Sequence, residues 1–167
     1  MTDATEGPDA MHRGVEIASG MGLDGRLTTD GGHVLAVRIY FEDTDFAGIV
    51  YHANYLRYME RGRSDFLRLR GINHTDLMNG ATGESLVFVV RHMDIDFVRP
   101  ARIDDVIEVH TKVSEMRGAR LILDQEIVKD HTLMTRARVT IALSASDGRP
   151  RRIPDLVRGR LGVPSRS

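Results

Sequence analysis

The feature that most constrains this fold is a change of hydrophobic period near Gly71. Before it, apolar residues and one glycine recur at steps of three and four, as on one face of a helix: Tyr55, Met59, Gly62, Phe66 and Leu69. After it, apolar and polar side chains alternate, which is typical of half-buried strands. This holds in SLVFVVRHMDIDFV, VIEVHTKVSEM, ARLILDQEIV and TRARVTIALS. The sequence therefore predicts one long helix followed by four strands.

A fifth strand is predicted before the helix, because VLAVRIYF alternates as well, with Leu35, Val37, Ile39 and Phe41 on one face. The later strands are joined by short turns near residues 117–118 and 129–131, which favours antiparallel pairing. A lone helix after the first strand can bury its apolar face only against that sheet. We therefore expect an α+β fold, a curved five-stranded antiparallel sheet wrapped around one long central helix.

The length of 167 residues indicates one domain. Residues 1–33 contain seven glycines and no sustained period, so we expect a flexible N-terminal leader. The domain itself is predicted to span residues 34–146. Residues 147–167 form a basic tail, for which we expect a short helix and then disorder. A second short helical piece is expected in HTDLMNG, and Gly62 in the middle of the long helix indicates close packing against the sheet.

Composition narrows the class of protein. The net charge of −1 argues against general binding to nucleic acid, and no apolar run is long enough to insert in a membrane. The chain has no cysteine, which excludes disulfides, thiolate nucleophiles and cysteine-based zinc sites. The first residues are acidic and polar, unlike a secretory signal. The histidines show no ligand spacing, so no metal site is expected. A cytoplasmic protein is the interpretation we adopt.

The stretch DTDFAGIVYHANY concentrates reactive side chains where the long helix begins. The first amides of a helix have no internal partner and carry partial positive charge, so they can hold a carbonyl oxygen that gains negative charge. A carboxylate beside them, from Asp43 or Asp45, can attack an acyl carbon or activate water. The simpler alternative is that this Asp-Thr-Asp is ordinary capping and turn chemistry, with His52 a surface histidine. Spacing alone favours the alternative.

The longer segment RIYFEDTDFAGIVYHANYLRYMERGRSDFLR resembles the signature of the 4-hydroxybenzoyl-CoA thioesterase branch of the hotdog superfamily. Within that branch it resembles the acyl-CoA thioesterases encoded with the Tol-Pal cell-envelope system. The resemblance continues through FVVRHMDIDFVRPARIDD and SEMRGARLILDQEIV, and covers residues 34–156. It implies the same hotdog fold, a homodimer that often forms a homotetramer, and no cofactor or metal.

The resemblance also implies roles for individual residues. Asp45 is the catalytic aspartate and His52 the second catalytic position, its backbone amide polarising the thioester carbonyl and its side chain placing water or substrate. Gly48 and Tyr51 match positions that shape the turn and meet the substrate. Asp43 is a structural partner.

The implied reaction is hydrolysis of an acyl-CoA to a free acid and CoA. Asp45 acts either as nucleophile, through a mixed anhydride, or as general base on water. The candidates to bind the phosphates of CoA are Arg91, Arg99, Arg117 and Arg120, with a contribution from the neighbouring subunit left open. An acyl carrier protein is a further candidate partner.

Two other functions remain open. A hotdog hydratase or dehydratase would need an acid/base pair in a different context, whereas the loop between Asp45 and His52 matches the thioesterase pattern. A non-catalytic subunit that binds acyl-CoA or acyl carrier protein would not need Asp45. The length and type of the acyl chain are not predicted.

Overall fold

The structure, a computed structural model, describes residues 25–162. The expectations for residues 1–24 and 163–167, including most of the leader, lie outside this range. Ten elements follow one another along the chain. They are β1 (Arg26–Leu27), β2 (His33–Arg38), a 3₁₀ turn (Phe41–Asp43), α1 (His52–Leu69), α2 (His74–Met78), β3 (Leu86–Phe97), β4 (Val106–Arg117), β5 (Arg120–Lys129), β6 (Thr132–Ala145) and α3 (Asp155–Arg160).

The strands form one antiparallel sheet in the order β1-β2-β4-β5-β6-β3, with α1 packed on one face. This confirms the α+β fold class. The sheet has six strands rather than five, because β1 lies inside the predicted leader. Arg26 pairs with Val34, and the Gly25 amide donates to Asp65 Oδ2 at 2.7 Å. Residues 25–33 therefore pack with the domain, and the expected boundary at Val34 is too late.

The predicted boundary after residue 146 also cuts through packed structure. Residues 153, 157 and 161 of the tail are all buried, and the Ile153 amide donates to Gly118 O at 2.9 Å. The short helix expected in the tail is confirmed as α3. The first part of the tail thus completes the core beside the turn between β4 and β5.

The packing of α1 on the sheet agrees with the predicted helical face, with one adjustment. Met59 and Phe66 are fully buried, whereas Leu69 is only half-buried and Leu67 is buried instead. At Gly62, a Cβ atom would lie 2.7 Å from Val109 Cγ1. The close approach predicted at this glycine is therefore confirmed.

The predicted first strand ends earlier than expected. β2 stops at Arg38, and the Ile39 amide then donates to Asp105 O at 2.9 Å. Phe41 lies in the 3₁₀ turn and is 81% exposed, so its assignment to the buried face of the strand is wrong. The chain leaves the sheet at this point and enters the loop that precedes α1.

The sheet has one open edge. Within residues 25–162, the twelve-residue strand β3 pairs only with β6. Val89, Val90 and Phe97 on this strand are exposed. A long, partly apolar strand edge of this kind favours pairing with another chain. In the same part of the chain, no helix combines the length and the apolar content needed to cross a membrane.

Candidate active site

The loop between β2 and α1 folds into a small hairpin. Thr44 and Val50 form an isolated antiparallel bridge, the Asp45 amide donates to Ile49 O at 2.8 Å, and the Gly48 amide donates to Asp45 O at 2.9 Å. Gly48 has a φ of 72°, a left-handed conformation that side-chain-bearing residues rarely adopt. Gly48 therefore permits the turn that presents Asp45, as predicted for a turn-shaping residue.

A second connection holds this hairpin in place. The Val50 amide donates to Ala101 O at 2.9 Å, and Ile49 bridges to Arg102, so the hairpin lies along the segment between β3 and β4. The Ala101 amide in turn donates to the hydroxyl of Tyr55, at 2.8 Å. Burial raises the pKa of Tyr55, which keeps this hydroxyl protonated. Tyr55 thus joins the helix to Ala101, the residue that also holds the hairpin.

The two aspartates of the hairpin differ in what they bind. Asp45 is exposed, and its Oδ1 accepts a hydrogen bond from the Ala47 amide at 2.8 Å. Its Oδ2 has no hydrogen-bond partner among the described residues. Asp43 Oδ2 accepts from the Tyr40 amide at 2.8 Å, and Asp43 O accepts from the Tyr51 amide at 2.9 Å. Asp43 is therefore bound into the loop, as expected for a structural partner, whereas Asp45 keeps one oxygen free.

The N-terminus of α1 is not capped by either aspartate. Tyr51 occupies the N-cap position and makes no side-chain cap hydrogen bond. The amides of His52 and Ala53 have no hydrogen-bond partner in the part of the chain that the structure describes. Capping of α1, the simpler explanation for this Asp-Thr-Asp, is therefore wrong, although Asp43 takes part in a capping box on the 3₁₀ turn and the expected turn chemistry is present. Free amides at a helix start can stabilise negative charge on a bound oxygen.

Aromatic side chains surround this helix start. The rings of Tyr51 and His52 lie 4.5 Å apart between centroids, and the rings of His52 and Phe97 lie 6.1 Å apart, edge to face. Tyr51, His52 and Phe97 are exposed, and Phe46 at the hairpin tip is fully exposed. The site therefore has an open, apolar surround in the single chain.

The arginines predicted to bind CoA do not all lie together. Arg91, Arg117 and Arg120 line one surface cavity of about 940 Å³ with His92, and none of the three makes an ion pair with a described residue. Arg99 lies elsewhere and donates to Leu133 O at 3.3 Å. The cavity is on the outer face of the sheet. Arg120 at the cavity pairs with Ala142 of β6, whereas Phe97, next to His52, pairs with Thr135. At the rise per residue of a β-strand these two positions of β6 are roughly 23 Å apart. In one protomer the cavity is therefore far from the hairpin.

Two of the buried polar residues of α1 lie beside the hairpin, and their contacts with it were not predicted from the sequence. Asn54 is 7% exposed, and its Nδ2 donates to Asp43 O at 2.9 Å. Tyr58 is 1% exposed and lies beside the Asp43 carboxylate without a hydrogen bond of acceptable geometry. Burial raises the pKa of Tyr58, and the Asp43 carboxylate raises it further. The sequence signal for these contacts was that each residue places a polar group next to the apolar face of the helix.

Across residues 25–162, no three His, Asp or Glu side chains are grouped so that they could hold a metal ion. The chemistry available at the hairpin is therefore that of a free carboxylate, a histidine and unpartnered helix amides.

Comparison with known proteins agrees with this geometry. A model of the thioesterase-like superfamily matches residues 39–161. The acyl-CoA thioester hydrolase YbgC of Escherichia coli O6:H1 is 39% identical over 120 residues, which cover 71% of this chain and 87% of that protein. A probable thioesterase from Bartonella henselae is 49% identical with a TM-score of 0.72, covering 74% of this chain and 99% of that one.

A more distant structure contains a bound ligand. A thioesterase from Thermus thermophilus, complexed with coenzyme A and Zn, is 25% identical with a TM-score of 0.65 and covers 78% of this chain and 95% of that one. The family match, the identity to curated relatives and the helix-wrapping sheet agree with the resemblance found in the sequence. The chain belongs to the thioesterase-like superfamily and has its hotdog fold.

Proposed function

We propose that this protein is an acyl-CoA thioesterase in which Asp45 is the catalytic carboxylate. The observation that carries the proposal is the free Oδ2 of Asp45 in a hairpin that leads directly into the unpartnered amides of α1. The activity of the YbgC relatives supports the same reaction class. A carboxylate and a helix N-terminus together supply what thioester hydrolysis requires.

The amide of His52 binds the thioester carbonyl oxygen and stabilises the negative charge that develops on it. In the general-base route, Asp45 takes a proton from water as the water oxygen bonds to the acyl carbon. The C–S bond then breaks, and the proton held by Asp45 passes to the departing thiolate. In the nucleophilic route, an oxygen of Asp45 bonds to the acyl carbon, the C–S bond breaks and CoA leaves as a thiolate. Water then attacks the acyl carbon of the mixed anhydride, which releases the acid and restores the Asp45 carboxylate, and the proton that the water loses passes to the thiolate. The imidazole of His52 orients water or substrate, and Tyr51 lines the approach.

The assembly we propose is a homodimer formed through the open edge of β3, and a homotetramer of two such dimers. Val89, Val90 and Phe97 are exposed along this strand, and Phe97 also contacts His52. Pairing at β3 would therefore cover apolar surface and enclose the hairpin in one step. The site of a single chain is open where the partner would close it.

The three arginines of the outer cavity are the proposed site for the phosphates of CoA. They form no ion pair with a described residue, whereas Arg136 and Arg138 on the same face pair with Asp96 and Asp124. Since the cavity lies far from the hairpin of its own chain, the neighbouring subunit has to supply it. An acyl carrier protein would present a similar phosphopantetheine thioester. The lack of cysteine fits a protein of the reducing cytoplasm.

The test is an assay of thiol release over a panel of short, long and aromatic acyl-CoAs, run beside a hydration assay on an enoyl-CoA. Thiol release from at least one thioester is the expected result, and the panel gives the preferred acyl chain. Hydration without thiol release would instead indicate a hotdog hydratase. Saturable acyl-CoA binding with neither reaction would support the non-catalytic binding subunit.

A further inference from the structure

Asn54, the third residue of α1, joins the helix to the base of the hairpin. Its side chain is almost entirely buried, and its Nδ2 donates to the carbonyl oxygen of Asp43 at 2.9 Å. The same oxygen accepts the Tyr51 amide, also at 2.9 Å. Both lone pairs of one carbonyl are thus occupied by donors from the start of α1. This carbonyl is the point where the hairpin is fixed to the helix.

The anchored carbonyl and the reactive carboxylate lie close together along the chain, between the 3₁₀ turn and the tip of the hairpin. Asp43 precedes Asp45 by two residues, and the bridge between Thr44 and Val50 lies between them. The Asp45 amide then donates to Ile49 O at 2.8 Å. A displacement at Asp43 is therefore transmitted along the hairpin to Asp45. Asn54 has no direct bond to the Asp45 carboxylate.

We propose that Asn54 is a positioning residue that sets the place of the Asp45 carboxylate through the carbonyl of Asp43. The inference rests on the proposed function for its effect on catalysis, and on the geometry alone for its effect on the hairpin. An asparagine suits this position because it places an amide donor on a short side chain. An aspartate has the same shape but no donor when ionised, and its charge would face a carbonyl oxygen at hydrogen-bond distance.

The experiment compares Asn54→Asp and Asn54→Ala with wild type and with Asn73→Asp. Asn73 is the control for the chemical change alone: it is exposed, and its Nδ2 also donates at 2.9 Å, to the carboxylate of Asp76 at the start of α2 and away from the hairpin. Both Asn54 variants should lower kcat by about 10- to 100-fold, as expected for a misplaced catalytic group, with little change in KM. Asn73→Asp should keep both values. The alanine variant keeps the test valid if the buried charge of Asn54→Asp prevents folding.

A second measurement does not depend on activity. Amide hydrogen exchange at Ala47 and Gly48, which donate to Asp45, should accelerate in the Asn54 variants and not in Asn73→Asp. In an Asp45→Asn background, the alanine variant should cause no further loss of kcat, because it acts through Asp45.

Three results would overturn the positioning role. The first is unchanged exchange at Ala47 and Gly48. The second is a loss of kcat no larger than that of Leu161→Ala, a buried change at the C-cap of α3, when the two variants are compared at the same fall in Tm. The third is an additive loss in the Asp45→Asn background. If wild type releases no thiol, the proposed function fails, and the exchange measurement alone still decides whether Asn54 positions the hairpin.

Discussion

The two ends of α1 satisfy their backbone groups in different ways. At the C-terminal end, the Ile72 amide donates to Leu67 O at 2.8 Å and Arg160 donates to Gly71 O. At the N-terminal end, the amides of His52 and Ala53 have no partner within residues 25–162. The backbone groups at the C-terminal end of α1 have hydrogen-bond partners, whereas the first amides at its N-terminal end, which faces the candidate site, have none among the described residues. The difference indicates where a ligand oxygen can bind.

Two carboxylates show the same contrast. Asp65, in the second half of α1, is buried and accepts from the Gly25 amide at 2.7 Å and from His33 Nε2 at 2.6 Å, and it also pairs with Arg68. Asp45 is exposed and has one hydrogen bond. A carboxylate surrounded by donors holds structure together, whereas one with a free oxygen can react. The predictions below test this division.

The largest effect is expected from Asp45→Asn. The asparagine can still accept the Ala47 amide, so Tm should stay near the wild-type value. Loss of the base should lower kcat/KM by about 10²- to 10⁴-fold. Asp43→Asn is the control, and should lose far less activity. A folded Asp45→Asn enzyme with more than about a tenth of wild-type turnover, well short of the usual general-base loss, would remove Asp45 from catalysis.

Asp65→Leu should show the opposite pattern. The leucine is similar in size but leaves two donors unpaired, the half-buried amide of Gly25 and the buried Nε2 of His33. Each buried donor without a partner costs about 1–3 kcal/mol in free energy of unfolding, measured by urea denaturation. The kcat of the folded variant should match wild type. A loss of activity without a loss of stability would contradict the division between the two ends.

A smaller effect is expected from the titration of His33. Burial lowers the pKa of His33, although Asp65 opposes the shift, and Nδ1 is buried with no partner among the described residues, so the neutral ring is the favoured form. Below its ordinary pKa of about 6.5 the unfolded chain binds more protons at this site than the folded one. The contribution of His33 is therefore complete above that pH and is lost as pH falls through it.

The measurement is urea unfolding of wild type and His33→Gln at pH 7.5 and at pH 5.5. Other titrating groups affect both proteins, so the difference between the two pH dependences reports His33. Wild type should lose more stability than His33→Gln on acidification. Equal losses would show that His33 is not held in its neutral form.

The smallest effect is expected from Arg160→Gln. Arg160 is exposed and donates to Gly71 O just beyond the end of α1. A cation at a helix C-terminus stabilises by about 0.3–1 kcal/mol, so Tm should fall slightly and activity should not change. Raising the salt concentration should reduce the difference from wild type, because the effect is electrostatic. A salt-independent difference would assign it to the hydrogen bond alone.

Much of the fold could be predicted from the sequence, since the change of period near Gly71 determines one helix and its sheet. The short strand β1 could not be predicted, because a strand of two residues is too short to show alternation. The hydrogen bond that holds this segment comes from Asp65, which lies far away in the sequence, in α1. The catalytic role expected of Asp45 came from the resemblance to a family, since the spacing of the two aspartates alone favoured capping.

Which of the four candidate arginines are neighbours in space could not be derived from the strand pattern, for a different reason. The register of β4 against β5 shifts between Val113 and Glu115, and the register of β3 against β6 shifts between Val90 and His92. Each bulge changes which side chains face outward beyond it. Alternation read through these points assigns faces wrongly, so the shared cavity of Arg91, Arg117 and Arg120 emerges only in three dimensions.

The order of the strands also determines how the chain reaches this structure. β4, β5 and β6 are consecutive hairpins, so Arg117 pairs with Arg120 across a tight turn, whereas β3 must pair with β6 across the whole meander and Leu86 meets Ala145. Contacts between residues distant in sequence form slowly, because a long loop has to close first. The hairpin that carries Asp45 is hydrogen-bonded to Ala101, in the segment between β3 and β4. The meander should therefore form before the site does.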